Sequence, residues 1–132
     1  FEKKKLGPKK IINMQRKKTG KLFSFCCYSA AQIAGKKISE VNRISKIGEE
    51  IGLLFQLTDD FLDIKGSSRL TGKSVKKDKK KGKSTIVNLM GFDFAQKYAI
   101  NLKTNILRNL KKHGKKANDL KDLINFILER KY

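Results

Sequence analysis

Apolar positions recur along this chain at three- and four-residue intervals, and no stretch alternates with the period of two that a half-buried strand requires. The pattern predicts an all-α chain. One helix is predicted over residues 11–33, ending near Gly35, with Leu22, Phe25, Cys26 and Ser29 or Ala30 stacked on its apolar face. A second is predicted from Ser39, whose hydroxyl can cap the amides of a first turn, to about Ile64, with Gly66 stopping it. Residues 66–84 are rich in Gly and Lys, carry no apolar period and read as a loop. After them, TIVNLMG reads as a short helix and residues 93–113 as a long amphipathic one ending at Gly114. A last helix over 118–130 has Leu120, Leu123, Ile124, Ile127 and Leu128 as its apolar face.

The second helix inverts the usual surface pattern. Gln56, Asp59, Asp60 and Asp63 stand at i, i+3, i+4 and i+7, which places them on one face. Their neighbours Leu53, Leu54, Phe55, Leu57, Phe61, Leu62 and Ile64 are apolar nearly all the way round. Carboxylates this close in a partly buried site raise one another's pKa unless a counter-charge keeps them ionised. A hard divalent ion such as Mg²⁺ suits them, because it takes oxygen ligands and completes its octahedron with water and phosphate oxygens. The spacing alone fits an ordinary solvent-facing acidic patch as well.

Charge sharpens the contrast, since the chain carries 32 basic and 12 acidic residues for a net charge of +20. Only five of the basic residues are Arg. A nucleic-acid binder makes heavier use of Arg, which forks onto phosphate and guanine. A lysine excess can equally follow from coding bias. The 132 residues hold one domain at most. They begin with Phe1 and pass into FEKKKLGPKKIINMQRKKTG without a signal-peptide pattern, so the expectation is a piece of a single domain whose N-terminal half lies outside this sequence. No apolar run is long enough for a transmembrane segment. The only cysteines, Cys26 and Cys27, are adjacent, lack metal-ligand spacing and read as small core-facing residues of a cytoplasmic protein.

Two stretches approach a phosphate-binding P-loop and miss it. GSSRLTGKS, from Gly66, has five residues between its glycines instead of four and follows a helix rather than a strand; GKST, at Gly82, has Lys77 where the first Gly belongs. Residues 73–83 hold seven lysines and no aromatic on which a base could stack. Lys73 and Lys83 stand apart because each follows a Gly, which lets the backbone approach a phosphate. His113 sits alone near a helix C-terminus and is assigned no chemistry.

KTG at 18–20, GLLFQLTDDFLD at 52–63, TGK at 71–73 and DKKKGKST at 78–85 occur in an order and at spacings that resemble the C-terminal half of the trans-prenyl diphosphate synthases, above all the bacterial farnesyl diphosphate synthases. The resemblance covers nearly the whole chain and implies the C-terminal helices of the isoprenoid synthase helical bundle. It implies that Asp59, Asp60 and Asp63 form the second aspartate-rich motif and bind Mg²⁺, or Mn²⁺, bridging to an allylic diphosphate, with Asp59 the foremost direct ligand. Phe55 and Gln56 would line the site. Lys18 and Thr19 match the KT pair that contacts the allylic diphosphate, and Lys73 and Lys83 match two lysines that stabilise the departing pyrophosphate.

The implied reaction joins isopentenyl diphosphate to dimethylallyl or geranyl diphosphate through an allylic cation. Charge builds on pyrophosphate as the carbon–oxygen bond ionises, so prearranged cations stabilise the transition state more than the ground state. A homodimer is implied by the resemblance, with no nucleic-acid partner. The family's first aspartate-rich motif, its following arginine pair and its isopentenyl-diphosphate contacts have no counterpart in these residues, so the chain alone is expected to be inactive. The competing expectation is a small basic helical module for nucleic acid or an anionic surface.

Overall fold

A computed structural model describes residues 7–71 and 85–130. Among them six α-helices follow in the order α1 (Pro8–Gln15), α2 (Lys21–Ile33), α3 (Ile38–Thr71), α4 (Ile86–Met90), α5 (Phe92–Leu110) and α6 (Asn118–Glu129). A π-helical turn, Arg16–Gly20, joins α1 to α2, and a 3-10 segment, Lys111–Ala117, joins α5 to α6. There is no strand among the described residues, in agreement with the all-α expectation. None of their helices is long and apolar enough to cross a membrane.

The middle of α3 is apolar on every side, and a helix of that kind has to be surrounded. It is: α1, the π-turn, α2, α4, α5 and α6 all pack against it. Ile47, Ile51, Leu53, Leu54, Leu57 and Phe61 are buried there with Ile86 and Val87 of α4, Ala95, Ala99, Leu102 and Ile106 of α5, and Ile124 and Ile127 of α6. Phe61 meets Phe92 edge-on at 5.3 Å, which locks the start of α5 to α3. At the other end Glu40, in the first turn of α3, binds Arg43 and Lys112 (2.9 Å), with His113 Nε2 3.4 Å from its carboxylate, so Lys112 ties the 3-10 segment to α3.

Where α2 crosses α3 the contact is made by small residues. A Cβ built on Gly52 would lie 2.7 Å from the Cα of Gly20, and one on Gly48 would lie 2.6 Å from the Phe23 carbonyl oxygen and 2.8 Å from Cys27 Sγ. Beside them Ser24 and Ser45 share a hydroxyl hydrogen bond of 2.8 Å. The backbones can come this close only because these positions carry little or no side chain.

This packing corrects the expected face of α2. Leu22 and Phe25 are 66% and 65% exposed and Cys26 is exposed, while Gly20, Phe23, Cys27 and Ala31 face α3. Adjacent helical residues point about 100° apart, so Cys26 and Cys27 cannot both face the core. Burial against α3 is also what pushes the Cys27 thiol pKa up. The helix predicted over 11–33 starts earlier, at Pro8, and is interrupted by the π-turn. It does end as expected: Gly35 takes φ +64°, its N–H bonds Gln32 O, and Lys36 N–H bonds Ala31 O, the two bonds of a Schellman cap.

Two further boundaries of α3 differ from expectation. The helix begins at Ile38, which puts Ser39 inside the first turn rather than at its cap. It then runs through Gly66 to Thr71, so the segment read as a loop starts inside a helix. Glycine ends a helix where the chain must turn to positive φ; within a helix it costs only about 1 kcal/mol, which the packed earlier turns of α3 offset. The short helix after residue 84 is present, with Thr85 Oγ1 accepting from Asn88 N–H at 3.1 Å as its N-cap.

The glycines predict opposite responses to the same substitution. Gly52→Ala drives a methyl into the Gly20 backbone and should lower stability by about 1–3 kcal/mol. Gly66→Ala meets nothing within 4 Å and should raise it by about 0.5–1 kcal/mol. Urea unfolding of the protein measures both.

Candidate active site on the acidic face of α3

The acidic face lies where α3 passes the π-turn on one side and the end of α6 on the other. Thr19, in the turn, donates its hydroxyl to Gln56 Oε1 at 2.9 Å. Gln56 Nε2 in turn donates to Asp60 Oδ1 at 3.2 Å. The direction of this relay follows from chemistry, because an ionised carboxylate only accepts. The Gln56 amide nitrogen must therefore face Asp60, which leaves its oxygen for Thr19.

Asp60 is 6% exposed, and its Oδ2 is buried with no hydrogen-bond partner. Burial pushes its carboxyl pKa up, the Gln56 hydrogen bond opposes this, the neighbouring Asp63 and Asp59 charges add to it, and Lys18 pulls it back. Lys18 is itself exposed, so its charge reaches Asp60 across partly open space. Asp63 is exposed one turn further along.

Asp59 is occupied differently. The guanidinium of Arg130, just past α6, donates from Nη2 to Asp59 Oδ1 at 2.5 Å. The same guanidinium lies 4.4 Å from the centre of the Phe55 ring, its Nη2 reaches the Phe55 carbonyl oxygen at 3.5 Å, and its Nε donates to Ile127 O at 3.2 Å. Charge-assisted hydrogen bonds contribute roughly 1.5–3 kcal/mol. A cation over an aromatic face adds about 0.5–2 kcal/mol, depending on desolvation. Phe55 is braced from behind by Phe23 at 5.7 Å.

The structure thus brings together Lys18, Thr19, Phe55, Gln56, Asp59 and Asp60 from the expected set, while Lys73 and Lys83 lie outside the described residues. Arg130 is the residue that sequence reasoning missed. It stands 71 positions from Asp59, and its only sequence signal is being one of few arginines in a lysine-rich chain.

Among the described residues no three carboxylate, histidine or cysteine side chains converge closely enough to hold a metal ion by themselves. The donors nevertheless fit a hard cation completed by other oxygens. Asp60 presents a buried, unpartnered oxygen, and the Arg130 bond engages Asp59 through Oδ1. Mg²⁺ characteristically takes one or two carboxylates and fills its remaining positions with phosphate and water.

The family model described as polyprenyl synthetase matches residues 2–127. The chain is 38% identical over 114 residues to the farnesyl diphosphate synthase of Micrococcus luteus, a match covering 86% of this chain and 39% of that protein. It is 34% identical over 124 residues to the farnesyl diphosphate synthase of Escherichia coli (strain K12), covering 91% and 42%. To the geranylgeranyl diphosphate synthase of Cyanophora paradoxa it is 34% identical over 113 residues, covering 86% and 38%. The chain spans about two fifths of the length of these relatives.

The state of Asp60 has a measurable consequence. Its raised pKa means that the folded protein keeps this proton to higher pH than the unfolded chain does. That contribution to stability is whole below the ordinary carboxylate range and is lost as pH rises through the folded pKa. Asp60→Asn removes the loss while keeping an oxygen for Gln56 to donate to. In EDTA the variant should melt several degrees above the native protein at neutral pH, with the gap closing toward about pH 4. An equal gap at all pH values would mean that Asp60 carries no buried-charge penalty.

Proposed function

Because the chain belongs to the polyprenyl synthetase family, we propose that the full-length protein is a metal-dependent trans-prenyltransferase. It condenses isopentenyl diphosphate with dimethylallyl or geranyl diphosphate, releases pyrophosphate and yields a short-chain product such as farnesyl diphosphate. The observation that carries this reading is the meeting of the π-turn with the acidic face, where Thr19 bonds Gln56 and Lys18 acts on Asp60. Residues matching the KT pair and the second aspartate-rich motif, far apart in sequence, then stand at one place. The relatives' names, farnesyl and geranylgeranyl diphosphate synthase, support the same substrate class.

In the reaction the allylic carbon–oxygen bond breaks with its electron pair going to pyrophosphate, a carbon–carbon bond forms to the isopentenyl group, and a proton is lost. Asp59, Asp60 and Asp63 would hold Mg²⁺ or Mn²⁺ along the acidic face of α3, between the π-turn and α6. Such an ion, when bound, neutralises the growing negative charge of the leaving group. Lys18 adds positive charge beside the same face, and Lys73 and Lys83 are assigned the same role on the resemblance. Gln56 fixes Asp60 through one oxygen, and the other, buried and unpartnered, is the one a ligand would engage. Phe55, packed between Arg130 and Phe23, is assigned a lining role beside the acidic face on the resemblance. The chain on its own is proposed to be inactive, and the full-length enzyme to act as a homodimer in the cytoplasm.

Product formation by the full-length protein should require Mg²⁺ or Mn²⁺ and cease in excess EDTA; undiminished turnover there would sink the proposal. Asp59→Ala should lower turnover by at least about 10²-fold, because charge stabilisation and positioning are lost together. Asp93→Ala, on the exposed start of α5, should change it little. Lys73→Ala and Lys83→Ala should each reduce kcat/KM by roughly 10-fold or more, against a far smaller effect of replacing Lys76, Lys77, Lys79, Lys80 and Lys81 together. A pyrophosphate-release assay measures all of these.

A further inference from the structure

We propose that Arg130 is a built-in counter-ion for Asp59 which a divalent cation must displace, so that seating of the α6 terminus and metal binding at the acidic face oppose each other. The proposal rests on the metal-binding reading of that face. It starts from a shared carboxylate, because Asp59 already carries one cation, Arg130, on its Oδ1 at 2.5 Å. A metal ligand at that carboxylate sits about 2.0–2.1 Å away and brings two further positive charges. A guanidinium and a divalent ion on the same carboxylate repel each other.

The position of Arg130 does not depend on Asp59 alone. Its Nε is tied to Ile127 O within the last turn of α6, its plane covers Phe55, and its Nη2 reaches Phe55 O. Its side chain is only 14% exposed, against 37% for Asp59. The cation is therefore delivered to the acidic face by the docking of α6 and held there on α3 itself. The Nε bond to Ile127 O is the side chain's own tie to the last turn of α6, so withdrawing the side chain gives up that bond and loosens the turn.

The charges facing Asp59 make the direction of the effect clear. Asp60 and Asp63 stand on its own helix, Lys18 faces the stripe from the π-turn, and Arg130 comes from α6. Without metal, Arg130 supplies the counter-charge for Asp59, which two further carboxylates flank. A bare divalent ion gains less from Asp59 than it would in an unguarded site. An ion that arrives with a diphosphate has further oxygen ligands to offset the displacement, which favours loading of metal and substrate together over metal alone.

The test uses the full-length protein without diphosphate, with Mn²⁺ as the probe and its free concentration read by electron paramagnetic resonance. Arg130→Gln should bind Mn²⁺ at least about 10-fold more tightly than the native protein. In the Asp59→Asn background the same change at Arg130 should have little effect, since the shared carboxylate is gone. Hydrogen exchange of the native protein supplies a readout that needs no substitution: saturating Mn²⁺ should speed exchange in the last turn of α6. Asp59-dependent Mn²⁺ binding that is equal or weaker in Arg130→Gln, or unchanged exchange at α6, would overturn the counter-ion role while leaving the metal site standing. Mn²⁺ binding that is unaffected by Asp59→Asn in either background would overturn the metal-binding reading itself, and this proposal with it.

Discussion

The backbone contact between Gly20 and Gly52 is the constraint from which the rest of the site follows. Gly20 ends the π-turn that carries Lys18 and Thr19, and Gly52 lies one helical turn before Gln56 on α3. A side chain at either glycine would hold the two segments apart. With the backbones in contact, Thr19 comes within 2.9 Å of Gln56 and the charge of Lys18 is felt at Asp60. The same small residues that let α2 lie against α3 thus determine how far the basic turn stands from the acidic face.

The acidic face is built against local stability. A buried carboxylate oxygen without a partner, beside two further carboxylates, is an arrangement that folding alone would not favour. The protein offsets it in part, with Gln56 on one oxygen of Asp60 and Arg130 on one oxygen of Asp59. What is left unsatisfied is what a cation and a diphosphate could use. Strain of this kind, concentrated on one face of a helix otherwise packed with apolar side chains, is typical of sites where function sets the sequence.

The all-α class and most of the later helices were legible because helical burial writes itself into three- and four-residue spacing. The acidic stripe was legible for the same reason, Gln56, Asp59, Asp60 and Asp63 being neighbours on a surface that the helix alone defines. The face of α2 was not. Hydrophobicity pointed to Leu22 and Phe25, whereas the helix packs by Gly20, Phe23, Cys27 and Ala31, because the deciding term is how closely two backbones can approach. The passage of α3 through Gly66 escaped for a related reason. A glycine is read as a stop from local propensity, yet it costs too little to end a helix anchored by its earlier turns.

Arg130 marks the boundary between the two kinds of information. Nothing near it in the chain relates it to a carboxylate 71 residues away, and as a helix-terminal arginine it reads as an ordinary complement to the helix dipole. Spacing along one helix specifies which side chains share a face, so the order and chemistry of Asp59, Asp60 and Asp63 belong to the sequence. Which oxygen of each carboxylate is already taken, by Gln56, by Arg130 or by nothing, depends on where separate helices cross. A local period contains no information about that crossing, because the contacts that fix it are made between segments whose separation along the chain bears no relation to their separation in space.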